Sequence, residues 1–482
     1  VGINFGKKYS HLTHGFGCLC QSPLVAEINA RLNGGMSRRS VLRGIAGAVG
    51  TMAVGLPAFA ADGKPVLLKN VKVFDGKSAA YLEGRDVLVS GNRIEDLVGQ
   101  GETVADAEII DCGGRTLMPG LIDAHWHTIL AGINQVAAMT ADVAYVHLVA
   151  AQEAERTLMR GFTTVRDVGG PSFALKRAID EGRMAGPRIY PSGAMISQTS
   201  GHGDFRMRTD LPRSTQSNLS ATEVSGISAL ADGVPEVLRR AREQLMLGAS
   251  QLKIMAGGGV TSVFDPLDSL QFTEAEMRAA VDAASDWGTY VCAHVYTSAG
   301  IRRALDCGVK SIEHGQLADE DTVRRMADAG VWWSLQPFLA DEDSNPGSTP
   351  EQQQKRLEVS QGTVRAFELG KKHGVNMAWG TDILFNPKGT AAQGRHLAKI
   401  ARWFDNHEVL SLATGRNAEL LALSGPRNPY QGKLGVIEAG AMADLLVVEG
   451  DPLQDISVVA DPDNTMKLIM KDGRIHKNTL GA

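Results

Sequence analysis

The chain is short of three things. It carries five cysteines in 482 residues: Cys18 and Cys20 near the start, then Cys112, Cys292 and Cys307. An odd, scattered set offers no disulfide framework. Cys292 sits inside an apolar strand pattern and reads as a buried, inert thiol. An excess of one charge is also lacking. The formal net charge is −5 and no long basic run occurs, so a nucleic-acid partner has no electrostatic support. Long apolar runs are the third absence. The weakly apolar stretch at residues 44–60 is short and glycine-rich, whereas a stable membrane span needs about 20 consecutive apolar residues.

What is present is an ordinary globular composition, 43% hydrophobic and 21% charged, at a length that suggests about two domains. Residues 1–60 read as a leader. Arg38 and Arg39 follow Met36-Ser37, then come residues 44–60, ending Ala58-Phe59-Ala60. Paired arginines, a modest apolar region and a small-residue end resemble a twin-arginine-type export signal. This predicts cleavage after Ala60, a periplasmic destination and Met36 as an alternative start. Residues 61–118 and 426–482 are rich in short β patterns and are expected to form one small β-sandwich, since the ends of a domain often lie close together. Gly91-Asn92 marks a hairpin turn. Residues 434–440, 443–448 and 466–471 are the C-terminal strand-like pieces.

Between them, residues 119–425 alternate β-like and helical segments, with eight strand candidates. That pattern predicts a (β/α)₈ TIM barrel with insertions. Thr273-Glu274-Ala275-Glu276 is a capping box, and Pro235 opens a helix that Gly248 should close. Residues 201–234 read as a long, polar, irregular loop, of the kind that is more often functional than idle.

The strand candidates end in metal-binding side chains. His125 and His127 close Pro119-Gly120-Leu121-Ile122-Asp123-Ala124-His125-Trp126-His127. Residues two apart on a strand share a face, so both imidazoles can reach one ion. His294, His314 and Asp382 end three later strand candidates, and barrel strands all aim these ends at one site. Imidazole suits zinc, with nickel, cobalt or manganese as alternatives. Lys253 has two readings. A desolvated, neutral amine could add CO₂ and bind metal as a carbamate; otherwise it is a structural lysine paired with an acid. His202, in the long loop, and Tyr296, two residues past His294, are candidates to hold an oxyanion or a substrate carboxylate, with barrel-rim packing as the other reading for Tyr296. Arg166 and Asp167 read as a structural pair, Trp332 and Trp333 as packing, and His147, His373, His396 and His407 as surface or helix-end residues.

These motifs resemble the metal-dependent amidohydrolase superfamily over roughly residues 65–455. The first-strand motif ends at His125 and His127, and Leu434-Gly435-Val436-Ile437-Glu438-Ala439-Gly440 with Ala443-Asp444-Leu445 is similar to its C-terminal signature. Ala441 departs from that signature, where lysine is common. Gly161-Phe162-Thr163-Thr164-Val165-Arg166-Asp167 and Gly201-His202-Gly203-Asp204 resemble the imidazolonepropionase-like group, which includes Xaa-Pro dipeptidases, carboxypeptidase-like enzymes and ochratoxin-hydrolysing amidases. The resemblance implies two divalent ions, zinc first. His125 and His127 would hold one and His294 and His314 the other, with carbamylated Lys253 between them and Asp382 on the first. It implies a small-molecule amide or dipeptide substrate cleaved by metal-bridging hydroxide, Asp382 carrying the proton, and a homo-oligomer. Lys253 argues against imidazolonepropionase activity itself, which needs no bridging lysine. The alternatives are a lactonase or phosphotriesterase-like ester hydrolase, a one-metal deaminase, and a non-catalytic binding module.

Overall fold

The computed structural model describes residues 64–481, apart from 214–216, 263 and 345–348. The arginine pair and the expected cleavage point lie outside these residues. Among the described residues no helix is long and apolar enough to cross a membrane.

The described chain begins with β1 (Val66–Val73), β2 (Arg85–Ser90), β3 (Arg93–Gly99) and β4 (Glu108–Pro119). β2 and β3 form the antiparallel hairpin expected at Gly91-Asn92. Gly91 turns it at φ 56°, a conformation that costs glycine nothing sterically.

The central region opens with β5 (Leu121–Trp126), β6 (Phe162–Asp167) and β7 (Arg188–Pro191), a parallel sheet. Next come β8 (Met195–Ser197), β9 (Ser228–Leu230), β10 (Leu252–Met255), β11 (Val291–Thr297), β12 (Ser311–Leu317), β13 (Trp332–Leu335) and β14 (Asn376–Trp379). They form a second sheet in the order β14-β13-β12-β11-β10-β8-β9. Every residue of β5 and β6 is buried, as expected of parallel strands covered on both faces. Helices separate most strands. Thr273 and Glu276 make the reciprocal cap at the start of Glu274–Asp286, and Val234–Leu247 closes on left-handed Gly248.

Two expectations change. The stretch 201–234 is less irregular than its polarity suggested. Its apolar end, Ile227 with Ala229 and Leu230, is buried, and β9 pairs there with β8. Residues 434–440 form no strand, because Gly435 and Gly440 turn the backbone at positive φ.

The edges of the two parallel sheets meet. Ser250 N donates to Pro191 O at 2.8 Å, and Asp382 N donates to His125 O at 2.8 Å. At the second junction a Cβ on Gly380 would lie 2.4 Å from the backbone N of His125, so only glycine lets β14 and β5 approach this closely.

The chain returns to its start through β15 (Leu445–Val448), β16 (Met466–Lys471) and β17 (Arg474–Asn478). β15 lies antiparallel to β4. The terminal pieces therefore make one seven-stranded sheet, β17-β16-β15-β4-β1-β2-β3, where a sandwich of two sheets was expected. The sheet curls, because Ile94 of β3 shares a core with Leu468 and Met470 of β16. Arg188 on β7 binds Asp444 through Nε and Nη2 at 2.7 and 3.1 Å, and Asp472 at 2.7 Å. Arg188→Met removes the cation from this largely buried cluster. We expect it to destabilise the protein by about 3–5 kcal/mol in urea unfolding; a change under about 0.5 kcal/mol, the size of a typical surface substitution, would refute the clamp.

Candidate metal centre

Each site residue is placed by a local feature. His125 is the last residue but one of β5 and His127 follows the strand directly, with ring centroids 5.6 Å apart. Lys253 lies in β10, and His294 and Tyr296 in β11, which continues to Thr297 and so keeps both on one face. His314 is in β12 at φ 74°, and Asp382 lies just past β14 at φ 54°. Left-handed backbone at a non-glycine residue costs about 1–3 kcal/mol and persists only where its surroundings enforce it. At His314 it breaks the alternation of the strand. Glu313 and His314 therefore both turn toward His125: Glu313 Oε2 is 2.7 Å from His125 Nδ1, and the His125 and His314 rings lie 4.8 Å apart. Trp333 Nε1 donates to His314 O at 2.6 Å and holds the turn.

All eight residues expected at the site line one cavity of about 340 Å³, within the usual size range of ligand pockets. His125, His314 and Asp382 bring ligand atoms within 4.8 Å of one another. Asp382 Oδ1 lies 3.2 Å from His125 Nε2 and 3.1 Å from His127 Nε2. The His294 and His314 rings are 4.5 Å apart.

The hydrogen bonds decide which nitrogens are available. His127 Nδ1 faces Gly169 O at 3.1 Å and His294 Nε2 faces Gly258 O at 3.1 Å. A carbonyl only accepts, so these nitrogens carry the proton and the opposite ones, His127 Nε2 and His294 Nδ1, present lone pairs. Glu313 fixes His125 in the same way, and Gln336 Oε1, 2.7 Å from Nδ1, fixes His314. His125 Nε2 is buried with no hydrogen-bond partner. Four oriented imidazoles and a carboxylate form a donor set that fits divalent cations.

Charge supports this fit. Burial, with neighbouring cationic groups, holds His294 and His314 well below the usual imidazole range. Burial alone would raise Asp382, but His125, His127 and His314 hold it well below the usual carboxylate range. Burial would likewise raise Glu313; Arg166 and His125 outweigh it. Lys253 is 1% exposed, and burial lowers its pKa. No ion pair or hydrogen bond joins the Lys253 amine to a described residue, while Glu313 and Asp382 lie near enough to act on its charge and only partly offset burial.

Residues 116–476 match the amidohydrolase family. The chain belongs to that family. Membership implies a TIM barrel with an attached β domain, and this amidohydrolase is a hydrolase of amide or peptide bonds. It is 32% identical over 375 residues to ochratoxinase of Aspergillus niger, covering 75% of each chain. A solved prolidase complexed with N-methylphosphonate-L-proline superposes with a TM-score of 0.79 at 36% identity, over 86% of this chain and 100% of that one. A Xaa-Pro dipeptidase with bound methionine gives 0.74 at 30%, over 86% and 100%.

The amidohydrolase places His202 against the cluster. Its ring stacks on His294 with centroids 4.1 Å apart, and its Nδ1 lies 2.7 Å from Ser262 Oγ and 3.4 Å from Asp265 Oδ2. A Cβ on Gly259 would fall 1.9 Å from that ring, so the glycine makes room for it. Tyr296 stacks on His314 at 5.1 Å, and burial keeps its phenol protonated.

Some bland readings change. Arg166 does not pair with Asp167; both Glu313 oxygens lie 2.7 Å from its Nη2, because its side chain crosses beneath the site while Asp167 accepts from Gly169 N. His396 is no surface residue: it is buried and lines the cavity. Trp332 and Trp333 pack as expected, and Cys292 is buried, its thiol pushed up to about 11. Sequence reasoning missed Glu313, Gln336, Asp265 and Arg356. Only Glu313 left a signal, an acid in an apolar strand beside His314.

Glu313→Gln keeps a hydrogen-bond acceptor for His125 and removes the charge. Loss of such a supporting group costs about 10- to 100-fold in metal affinity. We expect metal content after dialysis against a chelator to fall accordingly; retention equal to wild type would show that the charge is not used.

Proposed function

We propose that the two parallel sheets close into one (β/α)₈ barrel around a binuclear centre, and that the enzyme cleaves the amide bond of a dipeptide or N-acyl amino acid next to a carboxylate-bearing residue. The observation that carries this reading is Lys253. A charged ammonium buried with no carboxylate in direct contact is costly, and burial outweighs the pull of Glu313 and Asp382 and favours its neutral amine. That amine can add CO₂, forming a nitrogen–carbon bond and releasing a proton, which turns a repelling cation into an anionic ligand. His125, His127 and Asp382 would hold one ion, His294 and His314 the other, and the Lys253 carbamate both, with zinc the first choice for such donors.

When bound, the ions polarise the scissile carbonyl and make a water acidic enough to attack it. The residues of the chain do the rest. Asp382 takes the proton of that water and delivers it to the leaving nitrogen. The Tyr296 hydroxyl and His202 face the same cavity and supply hydrogen bonds to developing negative charge. Arg356, on the helix Pro350–His373, also lines the cavity and offers a guanidinium to a substrate carboxylate. The cavity suits a molecule the size of a dipeptide. The two dipeptidase structures and ochratoxinase support an amide flanked by a carboxylate.

Two sets of variants test this. Lys253→Ala and Asp382→Ala should remain folded by circular dichroism yet lose turnover of a panel holding Xaa-Pro dipeptides, N-acyl amino acids, a lactone and a phosphotriester. Full activity in either, or wild-type turnover confined to the lactone and phosphotriester, would overturn the reading. Arg356→Met should raise KM for a carboxylate-bearing substrate at least about ten-fold, the scale of a lost charge-assisted hydrogen bond, and change KM little for its carboxamide. An equal effect on both would remove Arg356 from carboxylate recognition.

A further inference from the structure

The cavity contains a polar atom that the proposed reaction does not use. His396, on the short helix Gln393–Lys399, is 7% exposed and lines the same cavity as the metal-binding cluster. Its Nδ1 is buried with no hydrogen-bond partner, a state that buried polar atoms in proteins seldom keep without a reason. From the segments after β13 and β14, Phe338, Leu339, Ile383 and Leu384 face the space as apolar wall, beside Asp343, Ser344 and Thr381. His396 thus offers a hydrogen bond in a cavity with an apolar wall.

The surroundings also say what kind of group it can meet. Lys399, Asp343, Asp341 and Arg395 are the charged groups that act on the imidazole. They satisfy one another: Asp343 binds Arg395 at 2.7 Å and Lys399 at 2.7 Å, and Asp341 binds Lys399 at 2.8 Å. Two carboxylates are matched by two cations, so these four groups leave little net charge beside the imidazole. Burial, aided by Lys399, lowers His396 to about 4, so the ring is neutral near pH 7 and can donate or accept according to tautomer.

We propose that His396 is a specificity residue that selects substrates whose apolar portion, of aryl size, carries one neutral hydrogen-bonding substituent such as a hydroxyl or carbonyl. The inference rests on the amide-hydrolase reading above and names the substrate class more narrowly. A substrate lacking the substituent leaves Nδ1 unpaired on binding, and a substrate bearing it pairs the atom. One neutral hydrogen bond in a buried pocket is worth about ten-fold in kcat/KM.

The test compares two substrate pairs: N-salicyloyl- with N-benzoyl-L-phenylalanine, which differ on the acyl group, and N-benzoyl-L-tyrosine with N-benzoyl-L-phenylalanine, which differ on the amino-acid side. The wild-type holoenzyme should favour the hydroxylated member of at least one pair by about ten-fold. His396→Leu should bring that ratio close to one, with the change in KM. His396→Asn keeps a polar atom near the position of Nδ1 and should retain most of the preference. If the leucine variant is not recovered folded, His396→Phe replaces it as the apolar variant. Wild-type turnover with no preference in either pair, or a preference that survives the apolar variant, would mean that Nδ1 is served by water alone and would overturn the inference. Absence of wild-type turnover on all three amides would instead reject the reaction itself.

Discussion

The carboxylate of Glu313 is the charge on which the site depends. It is fully shielded from water, as is its partner Arg166. Either ion alone would cost several kcal/mol to bury, so loss of one leaves the other uncompensated. Arg166 Nη2 grips both Glu313 oxygens at 2.7 Å while Arg166 Nε donates to Ala124 O at 2.5 Å, and Ser311 Oγ donates to Glu313 at 2.6 Å. β5, β6 and β12 are thereby joined beneath the cluster. The remaining valence of the carboxylate goes to His125 Nδ1, and this is what aims Nε2 of that ring at Asp382.

Rigid and adaptable parts are divided along the chain. The imidazoles and Lys253 sit in strands or next to one, and Asp382 follows β14 within a few residues. Their positions are set by ladders of backbone hydrogen bonds. Tyr296 apart, the groups proposed to face a substrate come from elsewhere: His202 from the loop after β8, Phe338 from the segment after β13, and Arg356 and His396 from helices. Loops and helix ends carried by a fixed frame are where selectivity can change without disturbing the chemistry. The left-handed His314 and Asp382 belong to the frame, since each is pinned through its backbone, His314 by Trp333 and Asp382 by His125.

What the sequence makes legible follows from the range of each cause. His-x-His on a strand, the capping box at Thr273 and the Gly91 turn are local, and the residues alone announce them. His294, His314 and Asp382 are far apart, but each lies in or just past an apolar strand, and neighbouring parallel strands carry such residues to one place. The partner of Arg166 could not be read, because the sequence places Asp167 beside it while the folded chain places Glu313 there. His396 misled for a similar reason. Lys399 and Arg395 give its helix the look of an exposed one, and only the acids at 341 and 343, from another segment, neutralise it and let it turn inward. The expected sandwich became one sheet because the edge of β4 is open to β15, a pairing that no local pattern encodes.

That last pairing has a consequence for how the protein is made. β4 lies between β1 and β15, and β15 leaves the ribosome only after the whole central region has been made. Until it arrives, β4 is a bare edge with unpaired backbone groups, of the sort that invites pairing with other chains. The Asp444 and Asp472 partners of Arg188 arrive equally late. The small sheet is therefore a closing stitch: β1 to β4 wait for β15 to β17, and a chain truncated before β15 would be left with that seam undone.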